Sequence, residues 1–382
     1  MKVLFLSDGE MGLWTDGGAT MLHSERLEKY LSTARELESR NAWKYEGAGA
    51  QFQHQRSPYE MQRRLAEKDC HVAAVAFCDG QVLYGLSTPD MGGLYLKPAD
   101  DDAAPESSWL SERTFRPRDM HVQGDQVILA LDTPQGECHI ARMTAGTSRY
   151  DVLTLGDTQD TAPFLCADGR TLYYASAGFA RNEEGLIIAK GPSALLEMDL
   201  KTGKLQEILA EDTVDYLRPR KGPDGCLYFI RRPYEQPRGK RLTLVDRAKN
   251  VGAFFKGVGK LFQFIGDPEG AAKRTPRVAG QSEEAAQKRM LEGVLVDVTR
   301  AKNADTDDDE HGCVPETWQL MRREADGKLT EILKGVADYD FDGDALVYSD
   351  GRRIIRLQDG KKTVLHRAAF IPRLVVEKTC VL

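Results

Sequence analysis

The sequence predicts an all-β fold, a six-bladed β-propeller, and three observations carry that prediction. A module of short strands recurs along the chain. Its turns hold Asp-Gly or Gly-Asp pairs at Asp79-Gly80, Gly124-Asp125, Asp168-Gly169 and Asp224-Gly225, spaced as the turns of successive four-stranded blades are. The two ends of the chain each carry an incomplete module.

The clearest module reads TAPFLCADG, RTLYYASAG, SALLEMDLKTG and KLQEILA. Asp and Gly tolerate the positive φ of tight turns. The alternation in ALLEMDL is that of a strand with one buried face. HVAAVAFCDG, QVLYGLSTP, GGLYLKPA and SWLSERTF form an earlier copy, and RDMHVQGD, QVILALDTP, ECHIARMTAG and RYDVLTLG the next. DYLRPRKGPDG and CLYFIRR open another, which TWQLMRREADG and KLTEILKG complete beyond an insertion. VADYDFDGD, ALVYSDG, RRIIRLQDG and KKTVLHRA form the last complete copy.

The start supplies MKVLFLSDG, MGLWTDG and ATMLH, which read as second, third and fourth strands without a first. FIPRLVVEK, near the other end, reads as a first strand without followers. Pairing the two in one blade mends both defects and leaves no open sheet edge. The tally is six blades in a single domain over 1–382; the weakest strands leave five or seven open.

Two insertions interrupt the repeat. In the first, 24–69, SERLEKYLSTARELESRNAW opens on Ser24, places Glu25 and Glu28 in its first turn, and spaces Leu27, Tyr30, Leu31, Ala34 and Leu37 helically. That predicts a capped amphipathic helix packed on the ring. The following EGAGAQF lacks the GxGxxG spacing of a dinucleotide loop. The second, 234–315, carries Phe254, Phe255, Val258 and Phe262 at helical spacing among lysines. This amphipathic segment, 248–266, fits the ring itself, a partner groove or a membrane surface. Further on, Asp305, Asp307, Asp309 and Glu316 approach a calcium-loop spacing without its turn glycine, which reads as a solvated acidic loop.

Composition narrows the function classes. The net charge of −7 argues against non-specific nucleic-acid binding. The apolar run in MKVLFLSDGE is too short for a signal-peptide core. No apolar stretch reaches the ~18 residues of a spanning helix. The cysteine count, seven, is odd and no CxxC pair occurs. Reduced core cysteines and a cytoplasmic location are the expectation, with no zinc site.

The stretches DTAPFLCADGRTLYYAS and VDYLRPRKGPDGCLYFI follow a pattern of Asp, short strand, Asp-Gly and aromatic strand. In this the chain resembles the TolB-like, or WD40-like, β-propeller repeat of bacterial proteins. The resemblance implies a propeller and favours a scaffold for protein–protein interaction. Peptidases with such propellers carry a separate α/β-hydrolase domain; this chain has no room for one and no GxSxG motif.

Candidate binding residues follow from the repeat. An Asp recurs just before the first strand of most modules: Asp69, Asp119, Asp160, Asp215 and Asp338. First strands line a propeller's channel, so these residues predict an acidic rim for a cation or a basic peptide. Alternatively, each Asp caps a turn by accepting from backbone N–H groups. Arg116, Arg118, Arg218 and Arg220 lie close enough in sequence to neutralise them, and Arg218 joins the candidate set. No catalytic residue, metal ligand or cofactor is expected. The leading function is a non-enzymatic scaffold binding a protein or peptide through the rim or the helical insertion. The alternatives are a hydrolase or lyase with a channel-bound metal, and a small-molecule sensor.

Overall fold

The structure, a computed structural model, describes residues 1–42, 70–235, 288–292, 294–297 and 312–378. It opens with β1 (Val3–Ser7), β2 (Glu10–Thr15) and β3 (Gly18–Leu22), an antiparallel meander. Its first turn is Asp8-Gly9, with φ of 50° and 87°. Two residues in the left-handed region are what a two-residue hairpin with the strands' own twist requires. Asp79-Gly80 and Asp359-Gly360 repeat that geometry.

Helix α1 (Glu25–Ala42) follows. The sequence expectation holds at its start: the Ser24 hydroxyl accepts from the Leu27 N–H at 3.1 Å. Leu27, Tyr30, Leu31 and Ala34 form its half-buried face. The remainder of the first insertion, with its EGAGAQF loop and Asp69, lies outside the described residues.

Four-stranded antiparallel meanders then succeed one another. β4 (His71–Cys78), β5 (Gln81–Ser87), β6 (Gly92–Lys97) and β7 (Ser107–Glu112) form one. β8 (Pro117–Gln123), β9 (Gln126–Asp132), β10 (Cys138–Thr144) and β11 (Tyr150–Val152) form the next. β12 (Thr158–Leu165), β13 (Thr171–Arg181), β14 (Ile187–Asp199) and β15 (Leu205–Leu209) follow, touching the previous sheet through one parallel bridge, Cys138 to Gln159.

β16 (Val214–Lys221) and β17 (Leu227–Pro233) lead into the second insertion. There β18 (Lys288–Leu291) and β19 (Val294–Asp297) make a hairpin that pairs with no other strand among the described residues. β20 (Gln319–Arg323) and β21 (Leu329–Lys334) then complete the β16–β17 sheet, as the sequence predicts. β22 (Asp338–Asp342), β23 (Ala345–Ser349), β24 (Gly351–Gln358) and β25 (Lys361–Ile371) form the last meander. The amphipathic segment 248–266 and the acidic residues 305–309 lie outside the described residues.

β26 (Arg373–Val376) pairs antiparallel with β1, from Val3 with Val376 to Leu6 with Arg373. The C-terminal strand therefore supplies the missing first strand of the N-terminal meander. First strands also neighbour one another: β4 with β8, β8 with β12, β12 with β16, β22 with β26, and β26 with β4. Such meanders around a shared centre are the arrangement of a β-propeller.

The apolar core lies between adjacent sheets. Ile128, Ala130, Leu165, Leu172, Tyr174 and Leu196 fill one such layer. Tyr216 and Phe229 meet edge to face in another, their ring centroids 5.5 Å apart. Each fully buried large side chain contributes roughly 1.5–3 kcal/mol against exposure. The hairpin joins this packing: Leu291 and Val296 pack with Leu217, Ile230, Val314 and Trp318. Among the described residues no helix is long and apolar enough to cross a membrane.

Candidate functional site

The charged residues of the fold converge where the first strands meet, and prolines in those strands help to aim them. Proline offers no N–H to a ladder and is confined to edges or bulges. In β16 the pairing with β17 skips from Leu217 to Arg220, around Pro219. β12 has the same irregularity between Thr161 and Phe164, around Pro163. The residue before each proline, Ala162 or Arg218, is left-handed, with φ of 51° and 53°. A bulge re-aims a side chain. Here it aims Arg218 into a buried cluster of acids.

Arg218 donates through Nε to Asp338 at 2.6 Å, and through Nη1 to Asp119 at 2.9 Å and Glu292 at 3.2 Å. Its guanidinium thus joins the β8 and β22 strands to the turn of the β18–β19 hairpin. Arg373, on β26, donates to the same Glu292 oxygen at 2.6 Å. Arg232, on β17, donates through Nε to Asp215 at 3.0 Å and through Nη2 to the Glu292 carbonyl at 2.7 Å. The Arg232 guanidinium also lies over the Trp318 ring, 4.5 Å from its centroid. Stacking and two directed hydrogen bonds fix the plane of this cation.

The acids are equally engaged. Asp338 accepts from the Tyr339 N–H at 2.9 Å and, across the sheet boundary, from the Leu374 N–H at 3.0 Å. Asp340 does likewise with Phe341 and Val376, and Lys378 donates to it at 2.7 Å. Asp215 accepts from the Ser193 N–H at 2.9 Å. Asp119 accepts from the Met120 N–H at 2.9 Å. Asp160 accepts from the Ser176 hydroxyl at 2.6 Å. These are backbone-capping and strand-stapling contacts, and all five side chains are buried.

The sequence expected these aspartates just before their strands, on a rim; the structure places Asp119, Asp160, Asp215 and Asp338 inside them. Arg218 and Arg220 do face the acids, Arg220 lying 3.7 Å from Asp338 and 3.6 Å from Asp340. Arg116 and Arg118 are engaged elsewhere. Arg116 donates to the carbonyls of Thr88 and Pro89, and Arg118 pairs with Asp132 at 2.6 Å.

Electrostatics divide the acids into two kinds. Burial alone would raise the Asp119 carboxyl, but Arg218 and Arg373 outweigh it and hold it below the usual range. At Asp340, Lys378 and Arg220 outweigh burial and push it down to about 2. The Glu292 carboxyl is held well below its usual range against burial, by Arg373, Arg218, Arg232 and Lys190. Asp160 differs: burial dominates, and its carboxyl is raised. His121, on β8, is pushed down to about 3 by burial and then by Arg220, and its Nδ1 accepts from the Leu165 N–H at 3.1 Å. Among the described residues no group of three His, Cys, Asp or Glu side chains is placed to hold a metal ion.

Sequence reasoning missed Arg232, Arg373 and Glu292. A signal existed for Arg373. Pro-Arg recurs at first strands, as Pro117-Arg118, Pro219-Arg220 and Pro372-Arg373. Arg232 and Glu292 stand in no repeated pattern, and only the folded chain brings them together.

No protein-family model matches the sequence, and no curated protein matches it. Solved structures resemble the chain at low identity. The TolB structure from Acinetobacter baumannii aligns over 98% of this chain and 65% of its own, with 9% identity and a TM-score of 0.48. A tricorn protease structure aligns over 96% of this chain and 33% of its own, with 12% identity and a TM-score of 0.46. The structure of a TolB from Agrobacterium tumefaciens, described as putative, aligns over 78% and 81%, with 13% identity and a TM-score of 0.39. The chain thus spans a third of the length of the tricorn protease and about two thirds of the first TolB.

Proposed function

We propose that the chain is a six-bladed propeller, closed by its ends in one blade, that serves as a non-enzymatic scaffold for a protein or peptide partner. The pairing of β26 with β1 and the succession of neighbouring first strands support the ring. One observation carries the functional reading. The hairpin of the second insertion reaches the centre of the blades and sets a carboxylate between arginines of different strands. A centre whose groups already bind a polypeptide segment is chemically suited to holding one. The strand-stapling aspartates then serve the rigidity of the ring, while Arg218 faces the bound segment.

A pull-down from native cells, with the intact chain and with 234–315 deleted, tests the reading. A partner captured by the intact chain and lost on deletion is expected. Capture of no partner by either chain overturns the scaffold. Equal capture by both moves its binding surface away from the insertion.

A further inference from the structure

We infer that Arg218, Arg232 and Arg373 form a carboxylate-binding site at the centre of the blades, occupied by the chain's own Glu292, and that an external carboxylate takes the same place once Glu292 is removed or drawn aside. This names the ligand chemistry of the scaffold proposed above and rests on that reading.

The arginines come from three strands, β16, β17 and β26, and converge on one hairpin turn. Guanidinium groups suit planar carboxylates because their donors lie in a fixed fork. Arg218 and Arg232 are buried, so each needs a full set of partners. Arg232 lacks one: its buried Nη1 has no hydrogen-bond partner among the described residues. That orphan donor lies on the same guanidinium that holds the Glu292 carbonyl, so the site offers more donors than Glu292 uses.

Charge points the same way. Around the hairpin turn stand Arg218, Arg232, Arg373 and Lys190, facing Asp119, Asp215, Asp338 and Glu292. Removing Glu292 takes from this set the carboxylate to which both Arg218 and Arg373 donate, and a buried charge that loses its partner is costly. An anion is therefore demanded at that place, whatever its source.

One feature marks Glu292 as an occupant of the site and not as part of the sheet framework: among the described strands, its hairpin pairs with none of the blades. Its φ of 47° is that of the first turn residue of a two-residue hairpin, as at Asp8, and puts Glu292 at the hairpin's tip. Leu291 and Val296 give the hairpin a small apolar foothold. The ligand is then a carboxylate, delivered as an acidic side chain or C-terminus of a peptide, or as a free small acid.

The test uses the full chain with Glu292→Ala, and Glu292→Gln as the isosteric variant should Ala fold poorly. Melting temperature is followed while sodium acetate is added, against sodium chloride and sodium phosphate at matched ionic strength. A fluorescent peptide of consecutive glutamates is titrated in parallel. Acetate is expected to raise the melting temperature of Glu292→Ala by roughly 2–4 °C beyond chloride, leaving the unsubstituted chain unchanged. The response is expected to vanish when Arg373→Met is added. The glutamate peptide is expected to bind Glu292→Ala about tenfold tighter than the unsubstituted chain. Acetate stabilisation without peptide binding assigns the site to free small acids. Equal responses to chloride or phosphate, or none in either variant, overturn the proposal. Loss of a partner on deleting 234–315, with no carboxylate response, leaves the scaffold standing and removes this site alone.

Discussion

Two glutamates hold the two insertions, and they do so in opposite senses. Glu106 belongs to the blades, next to β7, and receives the insertion. Its carboxylate accepts from the Glu25 and Arg26 N–H groups at 3.1 and 3.3 Å, at the start of α1. Tyr84 donates to it at 2.7 Å, and the fully buried Lys97 lies 3.9 Å away. Glu292 belongs to the insertion and enters the blades. If α1 left, Glu106 would keep Tyr84 and Lys97. If the hairpin left, Arg218 would keep Asp119 and Asp338, and Arg232 would keep Asp215, but Arg218 and Arg373 would lose the carboxylate they share. The first contact is an anchor complete on one side. The second is a socket that loses a shared carboxylate when emptied.

The largest effect expected from this contrast is at Arg218. Arg218→Met removes the one cation that, among the described residues, joins Asp119, Asp338 and Glu292, and takes a partner from each of these carboxylates. Breaking a buried pair this way costs about 3–5 kcal/mol, and a urea titration should show it as a lower midpoint. A loss below 1 kcal/mol would break the contrast, because the centre would then be no more demanding than the surface.

Glu106→Ala should cost less, about 2 kcal/mol, for the lost helix-start and Tyr84 hydrogen bonds. The sharper expectation is qualitative. Acetate should not restore Glu106→Ala, because α1 and Tyr84 collapse around a site built from one carboxylate. It should restore Glu292→Ala. Melting curves with and without acetate compare the two directly.

Acid response should also separate the regions. The carboxyls of Asp119, Asp340 and Glu292 are depressed in the fold, so their contribution is present above the unfolded value near 4 and is lost as pH falls through the folded values. His121 is depressed to about 3, so between about 6.5 and 3 the unfolded chain binds the extra proton. Stability therefore falls as pH drops through that window, by at most about 1.4 kcal/mol per pH unit from this group. His121→Gln keeps an acceptor for the Leu165 N–H and should flatten the loss between pH 6.5 and 5, read as melting temperature against pH.

Much of the fold was legible because its signals are local. Strand alternation, Asp-Gly turns, the Ser24 cap and the half-strength modules at both ends each live within a few residues. β20 and β21 were found across a long insertion for the same reason. The recurring Asp and Arg218 were legible as residues but not as a geometry. Placing Asp338 on Arg218 requires knowing that side chains of β16 and β22 meet, and no local pattern states it. Glu292 was invisible because its role depends on a hairpin turn meeting strands far away in sequence. The Pro-Arg recurrence was visible, but its meaning depends on bulges that only strand pairing reveals.

The smallest effect, with the opposite sign, is expected at Asp160. It shares the repeat position of Asp119, yet none of the ion pairs among the described residues involves it, and burial raises its carboxyl. The folded state therefore binds a proton more readily than the unfolded chain above pH 4, so this group lowers stability as pH rises. Asp160→Asn keeps a carbonyl oxygen for the Ser176 hydroxyl while removing the need to bury a charge. It should leave the melting temperature at pH 7 unchanged or raise it, by less than about 1 kcal/mol in stability. Asp119→Asn should lower it, because Arg218 and Arg373 lose a partner. If both substitutions destabilise alike, the aspartates form one uniform ring, and the division between staples without an ion pair and cation-bound acids fails. If they diverge, the cationic centre is confined to the side of the blades where Glu292 enters, which is where a carboxylate ligand has to bind.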